Sequence, residues 1–126
     1  ITGGRPARED RDMGTLDVYE VAMQLAKELH APLKVLRKGN RELEDQARRA
    51  LMSIVLNVAE GMGKHEGSAR EQARYYSIAR GSSTELLACL DLCAAWHLLD
   101  EPALTSARDK LDRTRAMLYR LVSRGG

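Results

Sequence analysis

The residues best suited to chemistry in this 126-residue chain recur every four positions along one segment: Glu85, Cys89, Cys93 and His97. Carboxylate, thiolate and imidazole groups are the ligands that zinc prefers. On a helix, however, only neighbours four residues apart can share one ion, because Cys89 and His97 would lie about 12 Å apart along the axis. Two ligands from one chain leave a tetrahedral site incomplete. The spacing therefore favours small core cysteines, and we expect no metal and no other cofactor.

A second candidate site lies at residues 60–65, where Glu60 and His65 form the only acid–base pair close in sequence. Neither a nucleophile nor a third orienting group accompanies them, as nucleophilic catalysis would require. The run G-M-G-K at residues 61–64 superficially resembles a phosphate-binding loop, but it lacks the Walker spacing and ends a helix instead of linking a strand to one. We therefore expect helix capping here and no enzymatic activity.

A polar stripe runs through residues 53–61, S-I-V-L-N-V-A-E-G, where Ser53, Asn57 and Glu60 occupy positions i, i+4 and i+7. At about 100° per residue these three side chains fall on one line along a helix. Apolar residues flank the line on both sides, with Ile54, Val55, Val58 and Met62 on one flank and Met52, Leu56 and Ala59 on the other.

Two apolar flanks are unusual, because an ordinary surface helix buries one apolar face and exposes the remainder to water. The pattern predicts that this helix packs against two partners. The alternative is that the stripe belongs to a solvated face, which in the same phase would comprise Glu42, Gln46, Arg49, Ser53, Asn57, Glu60 and Lys64.

The next helical segment repeats this combination of polar and apolar residues. Its predicted core face contains Ser82 and Glu85, and a buried, unpaired carboxylate costs several kcal/mol or becomes protonated. We therefore expect Glu85 to accept hydrogen bonds from Ser82 and from Asn57 or Arg49. The predicted core face comprises Tyr75, Ile78, Ser82, Leu86, Cys89, Cys93 and Trp96. The predicted structural polar seam comprises Ser53, Asn57, Glu60, Ser82 and Glu85.

The candidate nucleic-acid contact lies near the carboxyl end, where basic residues share one helical face with Met117. Such a row of cations can neutralise phosphates. The alternative is a solvated basic face near a helix C-terminus, where the helix dipole favours cations. The face comprises Lys110, Arg113, Arg120 and Arg124, and is diluted by Asp109 and Asp112.

Composition narrows the class of protein. Twenty Lys and Arg against 18 Asp and Glu give a net charge of +2, far from a strongly basic profile. Two cysteines cannot form a disulfide framework, and the absence of Phe requires a core of Leu, Val, Ile, Met and Ala, which is typical of packed helices. No secretory signal or membrane-spanning run is visible, so we expect a cytoplasmic protein that does not bind membranes.

These residues must be positioned by helices, and four are predicted, over residues 16–37, 41–62, 68–99 and from Asp100 onward. Pro32 is expected to kink the first or to split off its last turn. Ser68 and Glu71 form a capping box for the third. Short connections predict an antiparallel up-down-up-down four-helix bundle over residues 13–126. Residues 1–12 are expected to be a flexible extension or an expression-vector remnant.

The run at residues 53–61, followed by Tyr76, Ala79 and R-G-S-S-T-E-L at residues 80–86, resembles the four-helix-bundle proteins of the 23S rRNA intervening sequence, or S23, family. The resemblance covers about residues 16–122, and the accessory variability determinant of diversity-generating retroelements is similar to the same group. It implies a homo-oligomer, typically a pentameric barrel, without recognised catalytic activity. The retroelement proteins are strongly basic and bind nucleic acid with a reverse transcriptase, which the +2 charge of this chain does not match.

Two functions are therefore expected. The first is a non-enzymatic oligomeric scaffold or interaction module, which also follows from the apolar surface that two flanks would expose on a 14 kDa bundle. The second is an RNA-binding ring, accessory to rRNA or to a reverse transcriptase, that uses the basic face. Neither function involves a small-molecule substrate.

Overall fold

The computed structural model describes residues 6–64 and 68–125, with side chains described from residue 17 onward. This part of the chain forms four helices and no strand, so the fold is all-α. None of these helices is both long and apolar enough to cross a bilayer. The helices are α1 (Pro6–Gly39), α2 (Arg41–Gly63), α3 (Ala69–Ala95) and α4 (Glu101–Gly125).

Each helix packs against two others, in the order expected of a bundle. The contacts join α1 to α2, α2 to α3, α3 to α4 and α4 back to α1, while the backbones of the diagonal pairs do not approach each other closely within the described residues. The predicted core residues of α1 and α4 are confirmed as buried. They are Val18, Val21, Ala22, Leu25, Leu29, Leu33 and Leu36 in α1, and Leu104, Ala107, Leu111, Thr114, Leu118 and Leu121 in α4.

The buried residues divide into two clusters. The larger extends from Ala22 to Leu111 and includes both cysteines. The smaller, called here the Tyr76 cluster, draws residues from the amino-terminal parts of α1 and α3 and the carboxyl-terminal parts of α2 and α4. It consists of Val18, Val58, Tyr76, Ala79, Leu118 and Leu121.

Side-chain caps set the beginnings of α2 and α3. The Asn40 side chain accepts a hydrogen bond from the Leu43 amide at 2.9 Å. The Ser68 hydroxyl accepts one from the Glu71 amide at 3.0 Å, which confirms the Ser68 half of the predicted capping box. Each cap pairs an amide that the first turn of a helix leaves without a backbone partner.

The end of α3 comes earlier than predicted, at Ala95 instead of residue 99. The amide of Leu98 donates to the Cys93 carbonyl at 2.9 Å, and that of His97 donates to the Ala94 carbonyl at 3.2 Å. This pair of bonds is the Schellman arrangement, and it places His97 in the left-handed region at φ 55°. Glycine usually occupies that position, so the sequence lacks the residue that would have marked the end of the helix.

Helix α1 is longer than predicted. It begins at Pro6 instead of residue 16 and continues through Pro32 to Gly39 without a break. Pro6 is well tolerated as the first residue of α1, because the N–H that proline lacks would have no partner in the first turn of a helix. The division of the chain at residue 12 stays a prediction, and residues 1–5 lie outside the described part.

Candidate interaction surfaces

The two apolar flanks of α2 have different environments. Ile54 and Val58 are completely buried in the bundle, whereas Met52 and Leu56 are 53% and 58% exposed. The prediction of two partners for this helix is thus met on one flank by the bundle itself. The second flank has no partner within the described chain.

A groove between α1 and α2 continues the exposed flank. Its walls are apolar apart from His30 and Arg48, and Arg48 is held by an ion pair with the buried Glu44, with 2.6 Å between Nε and Oε2. The groove, called here the α1–α2 groove, is lined by Met23, Ala26, His30, Leu33, Arg48, Leu51, Met52, Val55 and Leu56. Exposed apolar side chains and groove together form one continuous apolar surface.

Three residues of the predicted polar seam meet between α2 and α3. The hydroxyl oxygens of Ser53 and Ser82 are 2.6 Å apart and share a hydrogen bond. The side-chain amide of Asn57 donates to the Ser53 backbone carbonyl at 2.9 Å and to the Ser53 hydroxyl oxygen at 3.1 Å. The sequence thus located a polar contact between the two helices.

The two glutamates of the predicted seam do not join this contact. Glu60 and Glu85 are both exposed. The expectation that Glu85 is buried and bonded to Ser82, Asn57 or Arg49 was wrong, since Arg49 pairs instead with Asp45 at 2.6 Å.

The physical reason is the orientation of α3. Its buried residues are Tyr76, Ala79, Ser83, Leu86, Cys89, Leu90 and Cys93. In the first half of the helix this buried stripe is one residue further along than the predicted one, so Ile78 is 43% exposed. Near the end of the helix, Trp96 is 55% exposed. Glu85 lies outside the stripe and needs no buried donor.

Gly61 has a packing role that the sequence analysis did not identify. A Cβ atom at this position would collide with the ring of Tyr76, which is only 2% exposed. The Gly61 carbonyl also accepts a hydrogen bond from the side-chain amide of Gln72 at 3.4 Å. A glycine at the end of an amphipathic helix indicated only a cap, whereas here it also allows the ring to approach the backbone of α2.

The predicted basic face of α4 is divided by an ion pair. The Lys110 ammonium lies 2.7 Å from Oε1 of Glu28 on α1, and both side chains are about one quarter exposed, at 24% and 25%. Burial alone would raise the pKa of Glu28, but hydrogen bonds from Lys110 and Ser106 and the Lys110 charge outweigh it and lower that pKa. Lys110 therefore joins two helices and is not available for a phosphate.

The other three residues of the basic face are exposed. None of the ion pairs among the described residues involves Arg113, Arg120 or Arg124. Basic side chains of α3 lie at the same end of the bundle, because Gly125 of α4 is beside Ala69 and Ala73. The guanidinium of Arg80 stacks 4.8 Å from the ring centre of Tyr119 on α4. The arginine surface, as we define it, comprises Arg70, Arg74 and Arg80 of α3 with Arg113, Arg115, Arg120 and Arg124 of α4.

The cysteines are free and buried. Burial, with a smaller contribution from Glu85, raises the pKa of Cys89, and burial next to Cys89 raises the pKa of Cys93 to about 11. Within the described residues no group of three His, Cys, Asp or Glu side chains is placed to hold a metal ion. His65, the partner considered for Glu60, lies outside the described residues.

The chain matches one protein family over nearly its whole described length. The model of the family named 23S rRNA-intervening sequence protein matches residues 14–120. The chain belongs to this family. A comparison of the sequence with curated proteins found no match.

The candidate interaction surfaces of this 23S rRNA-intervening sequence family member lie within the matched residues, apart from Arg124. The α1–α2 groove, the Ser53–Ser82 contact and the arginine surface as far as Arg120 all lie within residues 14–120. The family match confirms the resemblance to this family that the sequence shows. Similarity to the retroelement accessory determinant stays a prediction.

Proposed function

We propose that this chain is a non-enzymatic helical scaffold that works by associating with copies of itself. The observation that carries the proposal is the exposed flank of α2, where Met52 and Leu56 are each more than half exposed beside the apolar α1–α2 groove. Contiguous apolar surface on a small protein marks an interaction site. Complete burial of one such side chain contributes about 1.5–3 kcal/mol.

The proposal includes the architecture and the number of copies. An up-down-up-down order of helices is supported by the contact of Gly61 near the end of α2 with Tyr76 near the start of α3, and by the pairing of Ser53 with Ser82. The family resemblance supports an assembly of five copies. In such an assembly the uncovered flank of α2 would gain the partner that it lacks within one chain.

The decisive experiment measures mass in solution. We expect size-exclusion chromatography with light scattering to give a multiple of the 14.0 kDa chain mass. The double substitution Met52→Glu and Leu56→Glu should produce a folded monomer, because two carboxylates cannot be buried against apolar surface without a large cost.

The matched control replaces Val35 by Glu. Val35 is 56% exposed and lies on α1 outside the groove lining, so this variant should keep the mass of the wild type. Circular dichroism of all three proteins verifies that the helices are retained. A wild type that remains monomeric at high protein concentration would contradict self-association.

A second candidate function is RNA binding, favoured by the exposure of Arg113 and Arg124 without ion pairs among the described residues. Each phosphate that such a residue neutralises releases counterions and makes binding depend on salt. Binding to rRNA or to a nucleic-acid complex with a reverse transcriptase would use this chemistry.

The test is fluorescence anisotropy with a labelled RNA hairpin at 50 and 200 mM salt. The double substitution Arg113→Glu and Arg124→Glu should weaken binding, while Arg41→Glu at the start of α2 should leave it unchanged. No binding by the wild type at the lower salt concentration would remove this candidate.

A further inference from the structure

Charge is unevenly distributed at the end of the bundle that contains the Tyr76 cluster. There, residues 69–80 of α3 and 113–124 of α4 contain the seven arginines of the arginine surface and a single acid, Glu71. Residues 17–23 of α1 and 56–64 of α2 contain Asp17, Glu20 and Glu60 against Lys64. At this end of the bundle, therefore, the α3–α4 side is basic and the α1–α2 side is acidic.

The acidic residues border the apolar surface described above. Glu60 follows Leu56 by one helical turn, and Glu20 precedes Met23 by one turn; both glutamates are exposed. The α1–α2 side thus combines an apolar patch with a negative edge. This is the composition of a protein interface, with an apolar centre and a polar rim.

The arginine surface offers the complementary features. Tyr119 is 56% exposed and presents an aromatic ring beneath Arg80. Aromatic and arginine side chains are enriched at interfaces. Both tyrosine and arginine combine apolar area with hydrogen-bond donors. Arg120 follows Tyr119 directly and is exposed without an ion pair in the described chain.

We propose that the α1–α2 side of one copy docks on the arginine surface of the next. The inference rests on the proposed self-association and names the surface that fills the α1–α2 groove. Pairing of two α1–α2 sides in the same orientation would bring Glu20 and Glu60 towards like charges, which opposes association.

The geometry has a consequence for the assembly. Because the two docking surfaces are on different helices, every copy that uses one surface still carries the other. Such a heterologous contact repeats from copy to copy and closes into a ring when the rotation permits. A ring leaves no apolar α1–α2 side uncovered.

Charge-reversal variants of the full chain test the proposal. Arg120→Glu and Glu60→Arg should each raise the dissociation constant of the assembly by about tenfold at 50 mM NaCl, as loss of close interfacial charge pairs does. The chain with both substitutions restores the attraction with the signs exchanged, so it should return to within about threefold of the wild type. Raising NaCl to 500 mM should weaken the wild type and narrow these differences.

Arg41→Glu is the matched control. It makes the same change of charge as Arg120→Glu, but at the start of α2, where a carboxylate is favoured by the helix dipole. This variant should keep the mass and the salt dependence of the wild type.

The outcomes separate this inference from the proposed function. If both reversals keep the wild-type mass while Met52→Glu with Leu56→Glu gives a monomer, the copies associate through another arrangement and the inference fails alone. If Arg120→Glu reduces binding of an RNA hairpin without changing the mass, the arginine surface serves a polyanion and the inference is overturned. A monomeric wild type at every salt concentration would overturn both proposals.

Discussion

The two apolar flanks of α2 contain the same classes of residue, yet they lie in opposite environments. Ile54 and Val58 have no exposure, while Met52 and Leu56 on the other flank are more than half exposed. Hydropathy does not distinguish them; the neighbours do, because α1 and α3 cover only one flank. The comparison teaches that a large apolar residue on a helix predicts a partner but does not say whether that partner belongs to the same chain.

The largest difference between the flanks should appear when each loses a large side chain. Ile54→Ala should lower the free energy of unfolding by about 2–5 kcal/mol, because it leaves a cavity among buried residues. Met52→Ala should change the stability of the monomer by less than about 0.5 kcal/mol. Urea unfolding below the association concentration measures both; equal losses would contradict the distinction.

Glycines at the end of α2 sharpen the same comparison. Gly61→Ala should destabilise by about 1–3 kcal/mol, because the new methyl group forces Tyr76 to move within a packed cluster. Gly63 has no neighbouring atom within 4 Å of a Cβ at its position, so Gly63→Ala should be neutral or slightly stabilising. Thermal unfolding of the two variants checks this, and an unaffected Gly61→Ala protein would show that the ring is not fixed there.

Polar residues allow a similar comparison between a partnered and an exposed carboxylate. At pH 7 Glu28→Gln should cost about 0.5–1 kcal/mol of stability through loss of the partly buried pair with Lys110. Since folding lowers the pKa of Glu28 below its ordinary value of 4.5, this contribution is present above that pH and is lost as the pH falls through the lower folded-state value.

Glu85→Gln is the control for this measurement, because Glu85 is exposed. It should give no measurable change in stability or in mass at any of these pH values. Unfolding curves between pH 3 and pH 7 provide the comparison, and a difference between wild type and Glu28→Gln that persists undiminished at pH 3 would exclude the ion pair as its cause.

The smallest expected effect concerns the serine contact between α2 and α3. A double-mutant cycle of Ser53→Ala and Ser82→Ala should give a coupling energy of about 0.5–1.5 kcal/mol for the shared hydrogen bond. The pair Ser53→Ala and Ser77→Ala should show none, because Ser77 is exposed and has no bond to Ser53. Zero coupling in the first cycle would mean that water replaces the bond without cost.

The helices and the cores of α1 and α4 could be predicted from sequence because their apolar residues repeat with a helical period. The core face of α3 could not be fully predicted. The prediction assigned its large apolar residues Ile78 and Trp96 to the core face, whereas the bundle buries Ala79 and Ser83 instead. The Ser83 hydroxyl is satisfied by the Arg80 carbonyl at 2.6 Å, so a polar residue lies in the core without an unpaired group.

Contacts between distant residues set the limit for the candidate site as well. The basic row on α4 was recognisable by its spacing, but its division follows from a pair between residues 28 and 110 that no local pattern shows. Ser53 and Ser82 were placed together because each lies on a polar line of its own helix. The same reasoning was wrong for Glu85, because the buried stripe of α3 is shifted by one residue and Glu85 is exposed to water.

Cys93 offers a way to time the opening of the bundle. The side chain is completely buried and its pKa is raised to about 11, so the reactive thiolate is scarce in the closed protein. Alkylation at neutral pH must then await a transient opening that admits the reagent. The rate of maleimide labelling at this sulfur would report how often the helices separate, with no label added to the chain beforehand.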